Sequence, residues 1–200
     1  MSGLPQQQDH DRDLERSMLP LTKFMAAGDL AALAPELIVV DSLFDTGQHP
    51  ARRWEYAMAL RAGQAIGGGA CLDIGGAGSS LSAMLTVSGF SCRVVDPKTT
   101  ISLHDLLTKG YQEHQLIQAG LVTCVSVIEH VPGLVEFVVD LAQVVQPGGV
   151  LFLTTDAWNQ PDHLPDTAHF HWMRERIFTP GTWQALAEGF RQARGDIIIP

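Results

Sequence analysis

Leu72-Asp73-Ile74-Gly75-Gly76-Ala77-Gly78-Ser79-Ser80-Leu81 carries the strongest architectural signal in the chain. Cys71-Leu72-Asp73-Ile74 reads as a buried strand, and Ser79 to Ser88 as a helix with Leu81, Met84 and Leu85 inward. The residues between them are small, as a turn requires when a ligand must approach its main chain. The start of the helix then presents N–H groups and a partial positive charge, which suit a carboxylate or phosphate. Asp73, just ahead of the turn, disfavours a diphosphate; it can hold an ammonium group directly or through water.

Outward from this turn, short apolar runs alternate with helical patterns. Pro50 opens a helix over ARRWEYAMALRA, with Trp54, Met58 and Arg61 on one face and Ala57 and Leu60 beside it. Cys92 to Val95 and Leu121 to Val127 are expected strands, Leu103 to Leu107 and Pro132 to Val145 helices. Pro147-Gly148-Gly149 reads as a turn into a strand over Val150 to Thr154; Thr182 to Gly189 follows as a helix and Asp196 to Ile199 as a strand. Ahead of Pro50, the spacing of apolar residues from Asp13 to Ala34 predicts short helices, and Asp41 to Pro50 is turn-rich. Strands separated by helices imply α/β architecture: a doubly wound, mostly parallel sheet with helices on both faces. Residues 1–49 form an N-terminal arm with short helices, and residues 50–200 the main domain.

Val94-Val95-Asp96-Pro97 lies at the end of the second expected strand, with Asp96 twenty-three positions after Asp73. An acidic residue there can accept hydrogen bonds from both hydroxyls of a ribose. An amine, a carboxylate and a ribose together describe S-adenosylmethionine better than NAD. The nicotinamide-type G-x-G-x-x-G is also absent, because Leu81 stands where its last glycine belongs.

CLDIGGAGSSLSAML followed by VVDP resembles the first two motifs of class I, Rossmann-like, S-adenosylmethionine-dependent methyltransferases. Ser126-Val127-Ile128-Glu129-His130-Val131 after the family's fourth strand, and Val145-Gln146-Pro147-Gly148-Gly149-Val150-Leu151 leading into its fifth, continue the similarity over about residues 50–199. The resemblance implies that Gly75, Gly76, Ala77 and Gly78 wrap the methionine half of S-adenosyl-L-methionine, with Asp73 near its amino group. Asp96, with Pro97 beside it, would bind the ribose. Ser126 and Val127 would line the cofactor's other side, and Glu129 would contact the cofactor or cap the next helix.

Three departures from the family pattern stand out. Ala77 and Ser79 occupy glycine positions of D-x-G-x-G-x-G. The third strand is compressed or missing, leaving Asp105 as the candidate to face the adenine amine. The sequence stops at Pro200, after what reads as the sixth strand, so either the protein is a shortened variant without the family's last antiparallel strand or the sequence is truncated.

Methyl transfer is an in-line displacement in which the protein aligns the nucleophile and excludes water. A general base helps a hydroxyl acceptor, and histidine suits that role near neutral pH. His130, at the carboxyl edge of the sheet, is the candidate catalytic residue; the competing reading is a histidine that caps the next helix. His163, His169 and His171, with Asp156, Asp162 and Asp166 nearby, lack metal-ligand spacing and read as a loop bordering the acceptor pocket, with Phe170 and Trp172 as candidates for its wall. No metal is expected. Arg52 and Arg53 read as surface arginines beside Trp54 and Tyr56, although an arginine there can meet an anionic acceptor; Arg174 and Arg176 read the same way.

The 200 residues match about one domain on a prior of roughly 150 residues each. A hydrophobic fraction of 46% with 18% charged residues excludes a disordered chain. The net charge of −9 disfavours nucleic acid as partner, and the acceptor is expected to be a small molecule or a glycan. Cys71, Cys92 and Cys124 are expected as reduced core thiols of a cytoplasmic protein. The polar N-terminus lacks a signal peptide's apolar region, and no run is long enough to span a membrane. The alternative to an enzyme is an inactive methyltransferase-fold protein that binds the cofactor or a protein partner.

Overall fold

The computed structural model describes residues 31–44, 51–110 and 118–155, together with Leu186. Four strands pair in parallel: β1 (Gly69–Ile74), β2 (Phe90–Val95), β3 (Ala119–Val125) and β4 (Val145–Thr154), in the order β2-β1-β3-β4. The helices are α1 (Ala34–Leu43), α2 (Ala51–Ile66), α3 (Leu81–Val87), α4 (Leu103–Gly110) and α5 (Leu134–Val144), with a 3-10 turn at Ile128–His130. This is the expected doubly wound α/β arrangement. None of the described helices is long and apolar enough to cross a membrane.

Alternation along the strands splits the core into two layers. Leu72, Ile74, Val122 and Cys124 face Leu103 and Leu106 of α4 and Val138 and Leu141 of α5. Cys71 and Leu121 face the other way, toward Tyr56 and Leu60 of α2 and Leu81, Met84 and Leu85 of α3. Each fully buried leucine stabilises the fold by about 1.5–3 kcal/mol relative to an exposed one. β2 lies on one side of β1, and β3 with β4 on the other. Chain order therefore reverses between β1 and β3, where open α/β sheets form their ligand crevice. Ile74 is in register with Val95 and with Cys124, and Val125 with Thr154, so the four carboxyl ends lie level along that crevice.

The structure corrects several sequence-based boundaries. A helix occupies Ala34–Leu43, running into the stretch read as turn-rich. Pro35 stands in its first turn, where no backbone N–H is needed. On α2 the deepest residues are Tyr56, Ala57, Ala59 and Leu60, whereas Trp54, Met58 and Arg61 are half-buried. α5 begins at Leu134, after Gly133, rather than at Pro132. β4 starts at Val145, so the expected Pro147–Gly149 turn is an irregular part of the ladder. Gly149 packs so closely on the Gly120 carbonyl that a Cβ would lie 2.9 Å from its oxygen.

No strand intervenes between β2 and β3 among the described residues, in keeping with the compressed third strand. The expected helix over Thr182–Gly189 is described only at Leu186, which is helical and packs on the α4–α5 layer. The expected strand over Asp196–Ile199 and the His163–His171 segment, with Arg174 and Arg176, lie outside the described residues.

Candidate functional site

The glycine turn follows β1 directly and closes on itself through a Ser79 N–H that donates to the Gly76 carbonyl at 3.0 Å. Gly75 and Gly78 have φ of +74° and +76°, a left-handed backbone that an L side chain adopts only at a cost. A Cβ on Gly75 would sit 2.3 Å from Val127 Cγ2, and one on Gly76 would sit 2.2 Å from Asp73 Oδ2. Around Gly78 the space is open, so its main chain is approachable. Ala77 is not among the positive-φ residues, so its side chain fits without strain. Ser79 adds a hydroxyl that lies 3.4 Å from Asp73 Oδ2 and hydrogen-bonds with the buried Tyr56 phenol.

Asp73 is 2% exposed and accepts a 2.8 Å hydrogen bond from the Thr123 hydroxyl. Burial pushes its carboxyl up from 3.8 to about 6; the Thr123 and Ser79 hydroxyls oppose the shift, and the nearby Asp96 charge adds to it. A carboxylate held this way gains from a cation placed beside it.

Asp96 ends β2 and is buried. Its Oδ1 accepts the Lys98 N–H at 2.8 Å, and its Oδ2 accepts the Ala77 N–H at 3.2 Å. The second bond brings the two sequence motifs together: the acidic end of β2 abuts the turn after β1. A carboxylate has about four acceptor positions, so both oxygens retain capacity for a further donor. Pro97, beside it, is exposed.

β3 is followed directly by Ser126, the one non-glycine residue with positive φ (+49°) among those described. Its N–H donates to the Thr154 carbonyl at 3.0 Å. Val127 leans over Gly75, closing that side of the glycine turn. Glu129 is buried and accepts a 3.0 Å bond from the Thr155 hydroxyl. His130 is exposed at the end of the 3-10 turn, on the carboxyl edge. Asp105 is engaged elsewhere: it forms a reciprocal cap with Ser102, accepting from its hydroxyl at 2.8 Å and donating its N–H back at 3.0 Å.

Glu55, which sequence reasoning missed, anchors the far wall. This residue of α2 is buried and accepts from the Ser126 hydroxyl at 3.2 Å and the Thr154 hydroxyl at 2.6 Å. Arg52 pairs with Glu55 and donates to the Ser126 hydroxyl, so it is part of the crevice wall rather than a surface arginine. Arg53 does lie at the surface, forked onto Asp41. Arg followed three residues later by Glu on one helical face was the available signal, but that pattern more often marks a solvated ion pair. No cluster of three or more His, Cys, Asp or Glu side chains able to hold a metal occurs among the described residues.

Comparison with known proteins agrees with this geometry. A family model described as a methyltransferase domain matches residues 46–191. The ubiquinone biosynthesis O-methyltransferase of Hydrogenovibrio crunogenus is 30% identical over 116 residues, which cover 50% of this chain and 48% of that protein. The chain thus spans about half the length of that curated relative. A solved O-methyltransferase family protein from Burkholderia thailandensis aligns over 83% of this chain and 64% of its own at 15% identity, with a TM-score of 0.45. With its glycine turn, its acidic second strand end and a family match across most of its length, the chain belongs to the methyltransferase-domain family, of the class I type.

Proposed function

We propose that this protein is an S-adenosylmethionine-dependent methyltransferase acting on a hydroxyl of a small molecule or glycan. One observation carries the reading: the Asp96 carboxylate lies 3.2 Å from the main chain of the glycine turn, so groups suited to a ribose and to an amino-acid tail border one crevice. The residues fit such a cofactor. Gly75 and Gly76 keep side chains out of a cradle that a Cβ would disrupt, and Gly78 offers approachable main chain. Asp73 would orient the ammonium group and Asp96 the ribose. Arg52 contributes a guanidinium beside the end of β3, where it would offset a carboxylate. Ala77 and Ser79, which motivated the inactive alternative, are accommodated without strain at Ala77 and with a hydrogen bond at Ser79.

When bound, the cofactor would supply a sulfonium methyl group, open to in-line attack by an acceptor oxygen with the thioether sulfur as leaving group. The chain's part is to align the acceptor, exclude water and take its proton. His130 is the candidate base, exposed at the mouth of the crevice. The name of the 30%-identical relative favours oxygen as the acceptor atom. The net charge of −9 favours acceptors other than nucleic acid.

Titration calorimetry with S-adenosylhomocysteine tests the cofactor reading. Binding at micromolar concentration that Asp96→Ala abolishes is the expected result; a wild-type protein that takes up no cofactor product overturns it. His130→Ala should lower kcat by about 10²–10⁴-fold at unchanged cofactor affinity. An unchanged rate removes His130 from the reaction.

A further inference from the structure

Ser126 holds a left-handed backbone that serine seldom adopts, with φ of +49°. Such a conformation persists only where its surroundings over-determine it. Two sets of contacts do so here. The Ser126 N–H is fixed on the Thr154 carbonyl at 3.0 Å. Its hydroxyl is shared by Glu55 Oε1, at 3.2 Å, and the Arg52 guanidinium, both carried by α2. Glu55 also accepts from the Thr154 hydroxyl, so a single buried carboxylate ties the ends of β3 and β4 to one helix.

The consequence falls on the next residue. Val127 reaches over Gly75 so closely that any Cβ there would collide with its methyl groups. The direction in which the chain leaves Ser126 therefore sets the gap between Val127 and the glycine turn, which is one wall of the crevice.

We infer that Glu55 is a positioning residue, acting through Ser126 to set the left-handed turn that shapes the crevice wall. It need not touch the cofactor. The effect on binding rests on the cofactor reading above; the effect on the backbone does not.

The test uses Glu55→Ala, the milder Glu55→Gln, and each combined with Ser126→Gly, a residue that takes positive φ freely and needs no tether. Glu55→Ala is expected to weaken S-adenosylhomocysteine binding at least tenfold, and Glu55→Gln less, because its amide oxygen still accepts from the two hydroxyls. Adding Ser126→Gly should restore most of the affinity, whereas adding Ser126→Ala should not. A role confined to general stability predicts no rescue by glycine.

Hydrogen exchange at the Ser126 and Val127 amides gives a readout that needs no cofactor. Exchange should quicken in Glu55→Ala and slow again in the glycine double variant. Unchanged exchange in both Glu55 variants overturns the inference, as does affinity that glycine fails to restore in a folded protein. A wild-type protein that binds no cofactor product while exchange follows the expected pattern refutes the cofactor reading and leaves the positioning role supported.

Discussion

At the scale of single residues, the crevice is defined by atoms that are absent. Gly76 is the sharpest case, because the missing Cβ would overlap the Asp73 carboxylate at 2.2 Å. Asp73 cannot simply turn away, since it is 2% exposed and its other oxygen is bonded to Thr123. Gly76→Ala should therefore cost about 1–3 kcal/mol of stability by overpacking and displace the carboxylate from its place under the turn. Gly75→Ala combines overlap at Val127 with a left-handed φ, which adds roughly 1 kcal/mol or more. Chemical denaturation measures both losses, and calorimetry should show cofactor-product affinity falling further than stability alone explains. Wild-type affinity in Gly76→Ala would mean that the turn does not contact the ligand.

At the scale of elements, buried polar contacts tie α1 to α2, and α2 to the ends of the sheet, beside the apolar layers. α1 and α2 are joined by the buried Glu36, which Arg61 forks at 3.0 and 2.7 Å. Arg61→Ala strands a buried carboxylate and should cost about 2–3 kcal/mol, the lower side of the buried-pair range because the guanidinium is partly exposed. The double variant Arg61→Met, Glu36→Leu should be more stable than Arg61→Ala, since no charge is then left unpaired; a thermal melt orders the three proteins. The same polar character explains what the sequence revealed and what it hid. The glycine turn, Asp73 and Asp96 were legible because each lies at a strand end marked by a local pattern. Glu55 was not, because its partners Ser126 and Thr154 are 71 and 99 positions away and hydrophobic periodicity does not mark a face made of charges. Likewise α1 carries no clear apolar stripe, because its Glu36 is buried while its Ile38 is exposed. Of the three cysteines, Cys71 and Cys124 are buried and Cys92 is half-buried, with Cys71 and Cys92 in register on β1 and β2 and their sulfurs 3.5 Å apart. The Cys92 sulfur and burial both push the Cys71 thiol up, and burial does so for Cys124. A thiol reagent should accordingly modify half-buried Cys92 in the native protein and reach Cys71 and Cys124 only on unfolding, which peptide mass analysis resolves.

At the scale of the whole molecule, the buried Asp73 couples folding, protonation and ligand binding. Its pKa is about 6 in the folded chain against an ordinary 3.8, so the native state binds this proton more tightly than the unfolded one. Between those pH values the native state carries the extra proton, and the linkage slope is negative: the Asp73 contribution to stability is greatest at low pH and declines as pH rises through 6. The decline amounts to at most about 3 kcal/mol, from 1.36 kcal/mol for each unit of pKa difference. Asp73→Asn should therefore gain stability relative to wild type between pH 4.5 and pH 7, as urea denaturation at the two pH values would show. A bound ammonium group reverses the preference, because it interacts best with the ionised carboxylate. S-adenosylhomocysteine affinity should then rise as pH increases from 5 to 7 and level off above, and Asp73→Asn should flatten that profile. If the wild-type profile is flat while binding is intact, the ligand's amino group lies elsewhere, and the raised carboxyl belongs to the core of the sheet rather than to its chemistry.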